Sequence, residues 1–113
     1  MNRISVIIPT YQHAATLPRV LGSVFAQTLQ PTEVIVVDDG STDSTVAVLA
    51  PYTDRITYVH QQNQGAPMAR NRGFKLSTGA FVIFWDADVV AEHTMLERLE
   101  EVLREHPQAA WAY

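Results

Sequence analysis

Two aspartates, Asp86 and Asp88, follow an unbroken run of five apolar residues at 81–85. Such a run is typical of a strand that is buried on both faces of a parallel sheet. Open α/β sheets bind their ligands at the carboxyl ends of such strands. Two carboxylates this close repel each other unless a cation lies between them, and their hard oxygens suit Mg²⁺ or Mn²⁺. The alternative is that one aspartate caps the following helix and the other is solvated.

A second group of carboxylates follows another apolar run. Asp38 and Asp39 end the run that begins at residue 33, and Asp43 lies in the polar turn that follows. Asp38 is placed to orient this turn, whereas Asp43 is placed to cap the next helix. Carboxylates are therefore concentrated beside the ends of predicted strands.

Strands and helices must alternate along the chain to bring these two acidic groups together. Apolar runs predict strands, and apolar residues at i, i+3, i+4 and i+7 predict amphipathic helices. This order gives an α/β fold with three layers, in which helices cover both faces of a mainly parallel sheet. The predicted strands are 4–9, 33–38, 56–60, 81–85 and 109–113, and the predicted helices are 17–25, a short one ended by Pro51, 66–76 and about 92–106.

Local signals refine two of these helices. Thr16 is a plausible N-cap of the first helix, with Pro18 in its first turn. In the third helix, Ala69, Gly73 and Leu76 share one face, and small residues there would let the helix approach the sheet closely. The third strand alternates less regularly, as expected near a sheet edge.

Composition narrows the functional classes. The 113 residues are 47% hydrophobic and carry a net charge of −4, which fits one globular domain and argues against a nucleic-acid surface. The absence of cysteine excludes thiolate chemistry and fits a reducing compartment. No apolar run is long enough to span a membrane, and the first residues lack a signal-peptide pattern. We expect a cytoplasmic protein, with any membrane association supplied by parts of a longer chain.

Four segments together resemble family 2 glycosyltransferases of the GT-A fold. They are VIIPTY at 6–11, VVDDGSTD at 36–43, NQG at 63–65 with ARNRG at 69–73, and WDAD at 85–88, which matches the family's D-x-D motif. A lone D-x-D motif is weak evidence for the family, but the four segments occur in the family's order and on the expected elements. The resemblance covers essentially the whole chain. It implies that residues 1–113 form the nucleotide-sugar-binding part of a GT-A domain, without the C-terminal acceptor half.

The resemblance implies hexosyl transfer from a nucleotide-diphosphate sugar, commonly a UDP-sugar, to an acceptor hydroxyl, with inversion. It implies that Asp39 contacts the nucleoside, that Asp86 meets the ribose, and that Asp88 meets a divalent cation on the diphosphate. Tyr11 is placed to stack on the base, with loop packing as the alternative. The expected nucleotide-binding residues are Pro9, Thr10, Tyr11, Asp39, Gly65, Arg70 and Asp86, and the expected ligands of Mg²⁺ or Mn²⁺ are Asp86 and Asp88.

No catalytic base is assigned. The family takes its base from the C-terminal half, so we expect it beyond Tyr113, and the acceptor, whether glycan, lipid or protein, stays open. We expect this chain alone to bind donor without transferring sugar. In the family's fold, strands of the C-terminal half continue the sheet beside the fourth strand. Without them, we also expect self-association through the exposed sheet edge.

Three other functions are alternatives to sugar transfer. A module that binds a nucleotide-sugar without turnover stays open. A receiver-like signalling domain needs acidic residues after strand one, where Pro9, Thr10 and Tyr11 stand, and a lysine after strand five, where none follows Lys75. A dinucleotide-binding domain needs G-x-G-x-x-G after strand one, which is missing. The four histidines, His13, His60, His93 and His106, show no ligand spacing.

Overall fold

The structure, a computed structural model, describes residues 4–105. Four parallel strands form one sheet, in which the first strand lies between the second and the fourth, and the third pairs with the second. The register places Thr10 beside Asp38 and Asp38 beside His60, so these strands end at the same edge of the sheet. The strands are β1 (Ile4–Thr10), β2 (Glu33–Asp38), β3 (Thr57–His60) and β4 (Phe81–Phe84).

Helices follow the strands in the predicted alternation. The short second helix continues into a 3₁₀ turn, Ala50–Tyr52, that contains Pro51. None of the described helices combines the length and the apolar character needed to cross a bilayer. The predicted fifth strand at 109–113 lies outside the described residues. The helices are α1 (Leu17–Phe25), α2 (Thr45–Leu49), α3 (Ala66–Leu76) and α4 (Met95–Glu105).

Strand β1 shows why the fold has three layers. Its side chains alternate, so Val6 and Ile8 pack in one core with residues of α1 and α4, whereas Ile7 packs in another with Ala69 of α3. The side chains that β1 and β2 contribute to the two cores are almost fully buried, and these two strands form the centre of the sheet. The predicted three-layer α/β/α arrangement is thus confirmed for the described residues.

Helix α3 lies unusually close to the sheet. A Cβ atom added to Gly73 would lie 2.4 Å from Ile7 Cγ2, so a larger residue there would force the helix or the strand to move. Ala69 is also fully buried, as the small-residue face predicts. The extension of that face to Leu76 is wrong, because Leu76 is 46% exposed at the end of the helix. The close approach places the N-terminal half of α3 beside the strand ends.

Strand β4 differs from its prediction. We expected burial on both faces of 81–85, but the strand ends at Phe84, which is 46% exposed, and the preceding three residues are only half-buried. Within residues 4–105, β4 pairs with β1 alone and is therefore an edge strand. Trp85 is buried, but its ring lies just beyond the strand in the core shared with α1 and α4.

Helix α4 begins later than predicted, at Met95 rather than near residue 92. The physical reason is a buried glutamine at the end of α1. The side-chain amide of Gln27 donates to the carbonyl of Glu92 at 2.7 Å, and its oxygen accepts from the N–H of Leu96 at 2.9 Å. Gln27 thereby satisfies main-chain groups around the start of α4 and ties this helix to α1.

Candidate functional site

A crevice of about 320 Å³ lies at the carboxyl edge of the sheet, where open α/β sheets bind ligands. It contains every predicted site residue except Gly65, whose neighbour Ala66 lines it. The four predicted sequence segments are thus brought together in space. The crevice is lined by Pro9, Thr10, Tyr11, His13, Asp39, Ala66, Ala69, Arg70, Asp86, Ala87 and Asp88.

Thr10 lines this crevice and carries a buried hydroxyl without a described partner. The residue ends β1 and is only 2% exposed, yet its Oγ1 has no hydrogen-bond partner among the described residues. A buried polar atom without a partner costs free energy, and native proteins leave few of them. The unsatisfied Thr10 hydroxyl therefore marks the end of β1 as a place where a further hydrogen-bond partner is missing among the described residues.

Asp39 is 4% exposed and organises the loop that follows β3. Its Oδ1 accepts from Gln61 Nε2 and from the N–H of Gln64, both at 2.8 Å, and its Oδ2 accepts from the N–H of Gly65 at 2.9 Å. Burial raises the pKa of the Asp39 carboxyl, but these hydrogen bonds together lower it further, so the net pKa lies below its usual value. Asp39 is therefore ionised at neutral pH.

Gly65 supplies the backbone conformation that this arrangement needs. Its φ of 98° lies in the region that residues with a Cβ rarely adopt, and it precedes the first residue of α3. This φ turns the N–H of Gly65 onto Asp39 while the chain enters the helix. The predicted role of Gly65 in loop geometry is confirmed, whereas a direct contact with nucleotide stays a prediction.

Asp38 is fully buried and orients the turn after β2, as predicted. Its Oδ1 accepts from the N–H of Ser41 at 2.9 Å, and its Oδ2 accepts from the hydroxyl of Tyr58 at 2.6 Å. Burial and the neighbouring Asp38 carboxylate both raise the pKa of Tyr58. Both oxygens of Asp38 thus serve the fold rather than the crevice.

Asp43 was predicted to cap α2, but it lies one residue before the N-cap. Ser44 is the N-cap of α2, although it makes no side-chain cap bond. Instead, Asp43 Oδ1 accepts from the N–H and the hydroxyl of Thr45, while its Oδ2 accepts from the N–H of Ala14 at 3.1 Å. The bond to Thr45 is the main reason that the pKa of Asp43 is lowered. Asp43 therefore links the loop after β1 to the start of α2.

Gln12 makes the same link from the opposite side. It is the one described non-glycine residue with a positive φ, at 59°. Its main-chain N–H donates to Ser41 Oγ at 2.9 Å, and its side-chain Nε2 donates to Thr42 Oγ1 at 3.0 Å. Its Oε1 accepts from the N–H groups of Thr42 and Asp43, at 2.7 and 3.1 Å. The loops after β1 and β2 are thereby joined beside Tyr11.

Asp86 and Asp88 present the opposite environment. Both are exposed, and neither carboxylate has a hydrogen-bond or ion-pair partner among residues 4–105. The described residues hold no cluster of three or more histidine, cysteine or acidic side chains that could bind a metal. Two free carboxylates fit a cation such as Mg²⁺, which is commonly held by one or two carboxylates together with substrate phosphates and water.

The sequence did not predict a role at the site for three residues. His13 lines the crevice, although histidine spacing gave no reason to select it. Gln61 is buried and bonded to Asp39 across 22 positions, and Gln12 adopts a left-handed conformation. The one available signal was position, because His13 and Gln12 belong to the loop that leaves β1 at the ligand-binding edge.

Comparison with known proteins identifies the family. A family model described as Glycosyl transferase family 2 matches residues 5–112. YibD, an uncharacterized glycosyltransferase of Escherichia coli K12, is 41% identical over 101 residues, which covers 87% of this chain and 29% of YibD.

Solved structures agree with this relationship. S. aureus TarS 1-349 in complex with UDP has a TM-score of 0.84 and 32% identity, covering 93% of this chain and 33% of that chain. The mannosyltransferase PcManGT from Pyrobaculum calidifontis, in complex with GDP-Man and Mn²⁺, has a TM-score of 0.78 and 28% identity, covering 90% and 32%. The chain thus spans about a third of the length of these three proteins. By sequence and by its GT-A fold, the chain belongs to glycosyltransferase family 2.

Proposed function

We propose that this chain is the donor-binding part of an enzyme that transfers a sugar from a nucleotide-diphosphate sugar, with a UDP-sugar as donor. One observation carries the proposal. A single crevice at the carboxyl edge of the sheet contains an aromatic ring, a buried hydroxyl without a partner, a buried carboxylate and two free carboxylates. These groups match the base, the ribose and the metal-bound diphosphate of such a donor. The UDP complex of TarS, which has the same fold, supports the choice of UDP.

The nucleoside would lie between the loops after β1 and β2. Tyr11 is 47% exposed, which leaves a ring face for stacking on a base. A carboxylate offers about four acceptor sites. Asp39 uses Oδ1 twice but Oδ2 once, so Oδ2 can accept one more hydrogen bond from a base N–H or a ribose hydroxyl. Thr10 would use its free hydroxyl in the same region.

The diphosphate would lie toward β4. Asp86 and Asp88 would hold a divalent cation, and Mn²⁺ accompanies GDP-Man in the related PcManGT structure. When bound, the cation would act as a Lewis acid that stabilises charge on the departing diphosphate. Arg70 of α3, half-buried where it lines the crevice, would supply a further positive charge.

We assign no catalytic base within the chain. Displacement by an acceptor hydroxyl requires a base near the anomeric carbon. Among the late carboxylates of the described residues, Glu92 is exposed before α4, Glu100 is buried on α4 and paired with Arg104, and the others are exposed on the surface of α4. None of them lines the crevice. The base is therefore expected in the part of the relatives that this chain does not span.

Calorimetric titration with UDP and with uridine tests the proposal. We expect Mn²⁺ to strengthen UDP binding to the wild type, and Asp88→Asn to remove about 1–3 kcal/mol of that gain, the scale for losing a charged partner. Metal-free uridine binding should weaken in Asp39→Ala but not in Asp88→Asn. Asp54→Asn, an exposed aspartate outside the crevice, is the matched control. Equal UDP affinity with and without Mn²⁺ in every variant would exclude the metal site, and a wild type that binds neither ligand would exclude the function.

A further inference from the structure

We propose that Thr16 and Trp85 are positioning residues for the cation site, because they fix the main chain around Asp86 and Asp88 from two sides. The inference rests on the proposed function in that it concerns the same metal-bound donor. Neither residue lines the crevice, so neither would touch the donor or the cation. They would act only through the geometry of the two aspartates.

Thr16 reaches the peptide between the two carboxylates. It stands at the N-cap position of α1, yet its side chain makes no cap bond to the helix. Its Oγ1 instead donates to the carbonyl of Ala87 at 2.7 Å, across 71 positions of sequence. The carbonyl of His13 is farther away, at 3.3 Å, and one hydroxyl has one proton to donate. The hydroxyl of Thr16 thus prefers the turn that contains Asp86 and Asp88.

Trp85 holds the same turn from its other end. Its main-chain N–H donates to the carbonyl of Ile7 at 2.8 Å, which continues the β-ladder one residue past β4. Its indole N–H then donates forward to the carbonyl of Val89 at 2.7 Å. The ring is 3% exposed and belongs to the main core, so it cannot easily rotate away. Trp85 therefore fixes the entry of the turn with its main chain and the exit with its side chain.

Burial of Ala87 sets the direction of its neighbours. Ala87 is 3% exposed and belongs to the core, whereas Asp86 and Asp88 on either side are exposed. The N–H of Val89 closes the turn onto the carbonyl of Asp86 at 3.1 Å. With the central residue held inward by packing and by Thr16, both carboxylates remain at the crevice.

Such a framework matters because the two carboxylates repel each other before a cation binds. A loosely held turn would let them separate, and cation binding would then have to reverse that movement. Residues that orient metal ligands typically change metal affinity 10- to 100-fold when they are removed. We therefore expect the Thr16 bond to influence Mn²⁺ affinity and to leave binding of the base unchanged.

The test is titration of Mn²⁺ in the presence of saturating UDP, with free Mn²⁺ followed by electron paramagnetic resonance. Thr16→Val removes the hydroxyl at nearly constant volume and should weaken Mn²⁺ binding about 10-fold. Thr16→Ser keeps the hydroxyl and should restore it. Metal-free uridine binding should be the same in all three proteins. Thr53→Val, which removes a hydroxyl that donates to the carbonyl of Ala50 at 2.8 Å outside the crevice, should bind Mn²⁺ like the wild type.

Trp85→Phe is the second variant, since it removes the indole N–H but keeps an aromatic ring in the core. It should also weaken Mn²⁺ binding and spare uridine. Unchanged Mn²⁺ affinity in Thr16→Val, or an equal loss of uridine affinity, would overturn this inference while leaving the proposed function intact. A wild type whose UDP complex does not bind Mn²⁺ would overturn both the inference and the proposed cation site.

Discussion

Two acidic pairs lie at the same edge of the sheet and have opposite environments. Asp38 and Asp39 are almost wholly buried, and their carboxylates accept two and three hydrogen bonds, respectively. Asp86 and Asp88 are exposed and have no side-chain partner among the described residues. This difference shows that an acidic residue after a strand can either be bonded within the protein or stay unpaired at the ligand-binding edge. The first pair builds the site, and the second pair is left available to a cation.

The largest effect on folding is expected from Asp39→Ala. This change leaves the side chain of Gln61 and two loop N–H groups without their acceptor, so the free energy of unfolding should fall by about 3 kcal/mol. Urea unfolding followed by circular dichroism measures it. Asp54→Ala, at an exposed turn position, should stay within about 0.5 kcal/mol of the wild type. Equal losses in the two variants would contradict a structural role for Asp39.

Tyr58→Phe should have the next largest effect. It removes the hydroxyl that donates to the fully buried Asp38 carboxylate at 2.6 Å, and bonds to charged groups are worth about 1.5–3 kcal/mol. We expect a loss of about 2 kcal/mol in thermal or urea unfolding. The matched control is Tyr11→Phe, which alters a half-exposed ring at the crevice. A larger loss in the control would reverse the comparison.

Acid should destabilise the protein partly through Asp39. Its pKa is lower in the folded chain than in the unfolded one, so its contribution is complete above the usual carboxyl pKa and is lost as pH falls through the folded value. A single proton changes stability by at most about 1.4 kcal/mol per pH unit. Stability measured from pH 7 down to acid should therefore fall less steeply in Asp39→Asn. Parallel curves would show that another group controls acid unfolding.

The smallest effect is expected at the second acidic pair. Asp88→Asn should change the free energy of unfolding by no more than about 0.5 kcal/mol, with a slight gain because repulsion from Asp86 is removed. The same variant should lose Mn²⁺-supported UDP binding. A loss of more than about 1 kcal/mol in stability would mean that this pair, too, supports the fold.

Apolar runs and helical periodicity were enough to predict the element order, the parallel sheet and its ligand-binding edge. These features depend on local sequence patterns, which distinguish strands from helices. Side-chain bonds across the fold could not be predicted in the same way, because they join residues that are far apart in sequence. Gln61 bonds to Asp39 across 22 positions, Thr16 to Ala87 across 71, and Gln27 to Glu92 and Leu96 across 65 and 69. The exposure of Phe84 also depends on which strand lies beside β4 rather than on its own apolar character.

The left-handed residue Gln12 has a consequence for how the crevice can move. Its amide pairs with the chain at Thr42 and Asp43 much as a neighbouring strand would, and Asp43 returns a bond to Ala14. The loops after β1 and β2 are thereby joined into one unit at the crevice. Since Thr16 and Trp85 also hold the turn after β4 through the carbonyls of Ala87 and Val89, the loops that follow three strands are restrained before any ligand enters.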